Sequence, residues 1–98
     1  MSKGKSKQAV KQQKVTFSVE AKIAKEVVLI GDFNDWNPKT HPMKNGGNGR
    51  WKRVVTIPPG RYEYKFLVDG KWTEDPRNDQ KSPNCFGTFN SVLNVAPK

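Results

Sequence analysis

Two of the three tryptophans stand among residues that do not build cores. Trp36 closes the run Gly31-Asp32-Phe33-Asn34-Asp35-Trp36 and is followed by Asn37-Pro38, and Trp72 comes two residues after Asp69-Gly70. Segments of this composition form turns and run over the surface, because their backbone polar groups need water. An indole there offers a flat apolar face and a single N–H donor. That combination suits a ligand that is apolar on one side and polar at its rim, as sugars and nucleobases are. Trp51, flanked by Arg50, Lys52 and Arg53 in a strand-like run, reads instead as a packing residue.

Other chemistries find less support. His41 is the only histidine and has no Cys or second His at ligand spacing, so no metal or other cofactor is expected. Cys85 is the single cysteine, without a nearby His to activate it, and reads as a packed or incidental thiol. Asp32, Asp35, Asp69, Glu74, Asp75 and Asp79 supply enough carboxylates for a glycosidase pair. Asp69 is accounted for by its turn and Asp75 by the entry to an Asp-Pro loop, and the chain is too small to enclose a substrate. No catalysis is expected.

The elements that must position the tryptophans have a period of two. Val15, Phe17 and Val19 alternate with Thr16, Ser18 and Glu20, which describes a strand with one buried face. Residues 26–30 make a second, more fully buried strand ending at Gly31, and residues 50–57 a third, broken by Pro58-Pro59-Gly60. Over residues 61–68, Tyr62, Tyr64, Phe66 and Val68 share a face expected to be core, with Arg61, Glu63, Lys65 and Leu67 on the other. Asp69-Gly70 is a two-residue hairpin signal, so Lys71-Trp72-Thr73 should return beside that strand with Trp72 at the sheet's rim. A polar stretch over 74–87 precedes a last strand from about Thr88 to Val95. Short strands separated by turns, with no helical pattern, predict an all-β, antiparallel β-sandwich, with a small barrel as the alternative. Gly31, Gly60, Gly70 and Gly87 are expected to serve turns.

The 98 residues suffice for one core, and 34% hydrophobic content makes it a thin one. The net charge of +9 is uneven: Lys3, Lys5, Lys7, Lys11 and Lys14 supply five of those charges within 14 residues that contain no acid. Residues 1–13 are expected to form a flexible basic tail, either solubilising or attracted to a polyanion or acidic partner, and 14–98 a single β-sandwich domain. No stretch approaches the roughly 20 apolar residues of a membrane helix. The lone cysteine agrees with a reducing compartment, and a cytoplasmic location without membrane contact is expected.

Several of these motifs together resemble a known family. Gly31-Asp32-Phe33-Asn34-Asp35-Trp36, Pro59-Gly60-Arg61-Tyr62-Glu63-Tyr64-Lys65-Phe66, Val68-Asp69-Gly70-Lys71-Trp72 and Asp75-Pro76 are similar to the glycogen- and starch-binding modules of carbohydrate-binding family 48. The likeness extends over roughly residues 14–96 and is strongest to the glycogen-binding domain of AMP-activated protein kinase beta subunits. It implies an immunoglobulin-like sandwich that binds α-1,4-linked glucans such as glycogen, starch or maltooligosaccharides without cleaving them. The family's two stacking tryptophans correspond to Trp36 and Trp72, and its binding lysine to Lys65. Its Leu-Gly-Thr-x-Asn loop corresponds to Phe86, Gly87, Thr88 and Asn90, with Phe86 in place of the leucine. On residues alone, Lys65 would be a solvated face residue and Thr88 and Asn90 strand-edge polar residues.

The expected partner is therefore an α-glucan. A single-stranded nucleic acid or other polyanion is the rival, since the same aromatics could stack bases while lysines followed phosphates. The lysines are spread rather than lined up along an aromatic groove, which weighs against it. A third reading is a protein-interaction adaptor. Because the chain stops at Lys98, the expectation is that the enzyme or kinase it serves acts in trans.

Overall fold

The computed structural model describes residues 12–97. Of the expected tail, residues 1–11 lie outside the described residues, and the first strand begins at Gln13. Eight strands follow in order: β1 (Gln13–Glu20), β2 (Val27–Gly31), β3 (Lys44–Asn45), β4 (Arg50–Ile57), β5 (Gly60–Val68), β6 (Lys71–Thr73), β7 (Lys81–Pro83) and β8 (Phe89–Val95). They form an antiparallel sandwich. One sheet runs β1-β4-β3, and the other β2-β5-β8-β7 with β6 also paired to β5. Three short elements were not legible in the sequence: β3, β7 and a single 3₁₀ turn over Asp32–Asn34. None of the described helices is long and apolar enough to cross a membrane.

The core lies between the sheets. Phe17 and Val19 of β1, Trp51, Val55 and Ile57 of β4, Val27 and Leu29 of β2, and Tyr64 and Phe66 of β5 form one buried cluster. Trp51 is buried as expected and donates its indole N–H to Ala21 O at 3.1 Å. Tyr64 stacks edge-on against both Phe17 and Phe66, and Tyr62 and Val68 pack on the cluster's margin. Burying aromatic and β-branched side chains at roughly 25 cal/mol per Å² is what closes so small a sandwich.

Register decides which side chains leave the other way. Tyr64 pairs with Gly31 on one side and Ser91 on the other, all on the core face. One residue further on, Lys65 and Asn90 turn to the outer face, as alternation requires. Ile30 lies opposite Lys65, Leu67 opposite Trp72, and Ser82 opposite Asn90, so these residues share that face. Val28 and Ile30 are buried there, outside the main core cluster.

Two connections set the geometry of that face. Asp69 and Gly70 both have positive φ, 48° and 82°, between Val68 and Lys71 paired directly across from each other. This is the tight mirror-image turn that Asp-Gly favours. The Asp69 carboxylate also accepts the N–H groups of Lys25 and Glu26 at 2.9 and 2.8 Å, fastening the β1–β2 loop to this hairpin. Gly31, expected in a turn, has extended backbone instead. A Cβ there would lie 2.6 Å from Glu63 O and 2.8 Å from the Tyr64 Cβ, so close approach of β5 is what requires glycine.

Candidate functional site

Trp36 is placed by the 3₁₀ turn that follows β2. Asn34 fastens that turn: its Oδ1 accepts the Gly31 N–H at 3.1 Å, and its Nδ2 donates to Leu29 O at 3.1 Å and to His41 Nδ1 at 2.8 Å. His41 must then carry its proton on Nε2. Burial first, and the charge of Arg53 second, hold its pKa below the ordinary histidine value. Asp35 and Trp36 follow in the left-handed region, φ 55° and 56°, which costs roughly 1–3 kcal/mol for each non-glycine residue. The Trp36 N–H donates to Gly31 O at 2.9 Å, and its indole N–H donates to Asp32 Oδ1 at 2.9 Å. The result is a half-buried ring held at a fixed angle.

Trp72 is placed differently. It sits on β6, opposite Leu67 of β5, and is 55% exposed. No hydrogen-bond partner for its indole occurs among the described residues.

Between the two rings runs a chain of polar side chains. Lys65 is only 6% exposed, against the expectation of a solvated face residue. Alternation puts it on the outer face, but the Asn84–Thr88 loop covers it, and its Nζ donates to Thr88 Oγ1 at 3.1 Å. Asn84 Nδ2 donates to the same Thr88 oxygen at 2.8 Å and to Asn90 Oδ1 at 3.0 Å. Asn90 Nδ2 donates in turn to Glu63 Oε1 at 3.0 Å. Glu63 is also paired with Arg61 at 2.9 Å. The Asn90 hydrogen bond is the main cause of its carboxyl lying below the usual carboxylate range, with Arg61 adding to it against a burial that pushes upward.

Asn84 organises the loop that carries Phe86. Its Oδ1 accepts the N–H groups of Phe86 and Thr88 at 2.9 and 3.2 Å, a side-chain-closed turn of the kind Asn makes readily. Phe86 is left 85% exposed at the tip. Cys85 beside it is exposed as well, so it is not the packed thiol that was one of its two expected forms.

All six expected residues, Trp36, Lys65, Trp72, Phe86, Thr88 and Asn90, line one open cleft of about 830 Å³. Asp32, Glu63, Glu74, Asn84 and Cys85 complete its wall, and sequence reasoning missed them. A signal existed for two. Asp32 stands four residues before Trp36, within reach of its indole across a tight turn, and Asn84 opens a loop with an amide at the position from which Asx turns close. The three carboxylates are matched by cations or donors: Glu63 by Arg61, Glu74 by Lys81 at 3.0 Å, and Asp32 by two N–H groups. The cleft thus combines aromatic rings with a hydrogen-bonded polar network, and its lining holds three carboxylates against one lysine, with Arg61 and Lys81 pairing two of the carboxylates from outside the lining. No cluster among the described residues has the makings of a metal site.

The family of the glycogen recognition site of AMP-activated protein kinase matches residues 12–98. The chain belongs to that family. The beta-1 subunit of 5'-AMP-activated protein kinase from Sus scrofa is 38% identical over 71 residues, 72% of this chain and 55% of that protein. The beta-2 subunit from Homo sapiens is 34% identical over 71 residues, 72% of this chain and 25% of its own length. The chain therefore spans between a quarter and about half of these relatives. The solved structure of maltogenic amylase from S. marinus shares the fold, with a TM-score of 0.74 at 21% identity over 89% of this chain and 14% of that one. The immunoglobulin-like sandwich implied by the resemblance is the fold of this chain.

Proposed function

We propose that this protein is a non-catalytic binding module for α-1,4-linked glucans, in which Trp36 and Trp72 stack on glucose rings and Lys65, Thr88 and Asn90 bond their hydroxyls. The observation that carries this reading is the convergence of two exposed or half-exposed indoles and a hydrogen-bonded polar network in a single open cleft. A pyranose ring has C–H groups that can leave water against an indole and hydroxyls around its edge that need directional partners. Lys65 brings three donors, and Thr88 takes one. Phe86, exposed at the loop tip, adds a third apolar surface for the chain to rest on.

The carboxylates argue for binding without cleavage. A glycosidase needs one acid held protonated by its surroundings and a second left ionised across the scissile bond. Here Glu63 is shifted the opposite way, Glu74 is paired with Lys81, and both Asp32 oxygens are occupied. Three carboxylates against one lysine in the lining also disfavour a polyanion at this site. A kinase or other enzyme served by the module would be held near a polymer by it, and many chain ends would compensate for a shallow, weak site.

Calorimetric titration with maltoheptaose at low and at physiological salt tests this, with a single-stranded oligonucleotide as the parallel ligand. Saturable sugar binding that is indifferent to salt is the expected result. Oligonucleotide binding that collapses with salt through counterion release, without a sugar signal, would overturn it.

A further inference from the structure

Asp32 makes two contacts that the turn itself does not require. Its Oδ1 accepts the Trp36 indole N–H at 2.9 Å, and its Oδ2 accepts the backbone N–H of Glu63 at 2.7 Å. The second contact has a clear place in the fold. The β2–β5 ladder ends where Gly31 faces Tyr64, and the Glu63 N–H lies one residue past that end. The carboxylate supplies the missing acceptor and so joins the Trp36 ring to the frame of the sheet through one rigid, two-carbon side chain.

We propose that Asp32 is the positioning residue of the Trp36 platform: it sets the angle of the ring before any ligand arrives and consumes the indole's only donor. This rests on the glucan-binding reading above. Trp36 then meets a sugar as a purely apolar surface, and orientation comes from its neighbours. Trp72, with no partner for its indole among the described residues, keeps its donor for a hydroxyl and a choice of rotamers. The two platforms are therefore unequal, one preset and one adaptable. Holding a ring in its bound orientation removes the cost of ordering it during association, which is how a preorganised contact gains affinity without adding area.

The test joins indole exchange to affinity. In proton–nitrogen spectra of the free protein, the indole N–H of Trp36, identified by its absence from Trp36→Phe, should exchange with water more slowly than that of Trp72. Asp32→Ala should raise the Trp36 rate towards that of Trp72. It should also weaken maltoheptaose binding roughly three- to tenfold at a temperature where the variant is folded, the range set by ordering one side chain. Asp32→Asn has one acceptor oxygen for two donors, so with Oδ1 on the indole its NH₂ faces the Glu63 N–H, donor against donor; it should recover only part of both effects, and it carries the test if the alanine variant does not fold. Unchanged exchange in the variants, or faster exchange with wild-type affinity, would overturn the assignment. Absence of maltoheptaose binding by the unsubstituted protein would sink the glucan reading, while the exchange comparison would still decide whether Asp32 holds the ring.

Discussion

Tyr64 and Phe66 leave β5 on one side and enter a core sealed by the second sheet, whereas Glu63 and Lys65 leave the same strand on the other side and line an open cleft. Both sets of side chains are largely withdrawn from water, for different reasons. On the inner face, withdrawal removes apolar area, and the one polar group, the Tyr64 hydroxyl, is matched by Asp75 Oδ2 at 2.6 Å and Asn78 Nδ2 at 3.1 Å. On the outer face, Lys65 is covered by a loop and keeps donors in hand. Burial alone does not separate a residue that only stabilises from one left free to bind; the direction and the partners do.

The largest effect should fall on the inner face. Phe66 has no exposed surface, and Phe66→Ala should cost about 3–5 kcal/mol in urea unfolding, while whatever remains folded keeps its maltoheptaose affinity. Trp72→Ala should do the reverse. It should lose about 2 kcal/mol or more of binding in titration, as an interface anchor does, and change stability by less than about 0.5 kcal/mol. A stability loss matching that of Phe66→Ala would erase the distinction between the faces. Lys65→Met retains the stem and removes the ammonium. It should weaken sugar binding by about 1 kcal/mol with stability nearly level, and a large destabilisation would place Lys65 with the core instead.

The smallest effect concerns the joint between the faces, where His41 accepts from Asn34 beneath the Trp36 turn. Its folded pKa is lowered, so the neutral ring is the form that folding favours. That contribution is complete above the ordinary histidine value of about 6.5 and fades as pH falls through the lower folded value. The thermal midpoint should therefore drop on acidification in the unsubstituted protein by more than in His41→Gln, whose amide oxygen still accepts. Equal pH profiles would show that the bond carries no weight.

The four long strands β1, β4, β5 and β8, and the Asp69-Gly70 hairpin, were legible because each rests on local chemistry: alternation over many residues, or a dipeptide suited to positive φ. β3 is two residues long and β7 contains Pro83, so neither has a periodicity to read. Trp36 and Trp72 stood out by being aromatic in polar company. Asp32 and Asn84 look like every other turn residue, and their importance lies in partners that only folding brings near, Glu63 at a separation of 31 for Asp32 and Asn90 across the loop for Asn84. Lys65 was assigned its face correctly from alternation, but its cover comes from a loop 20 residues later, which alternation cannot register.

Gln13 donates from its side chain to Ala96 O, while its Cα faces Ile57 and that of Val95 faces Gly60. Both ends of the described chain thus emerge at one pole, beside Pro58 and Pro59. Trp72 sits towards the other pole, near the far end of a strand that spans roughly 25–30 Å. The Trp36 turn, tied to Glu63, stands nearer the strand's start, so the two rings are offset along β5 and a rod-shaped ligand touching both would lie along the strand as a ruler lies along a seam.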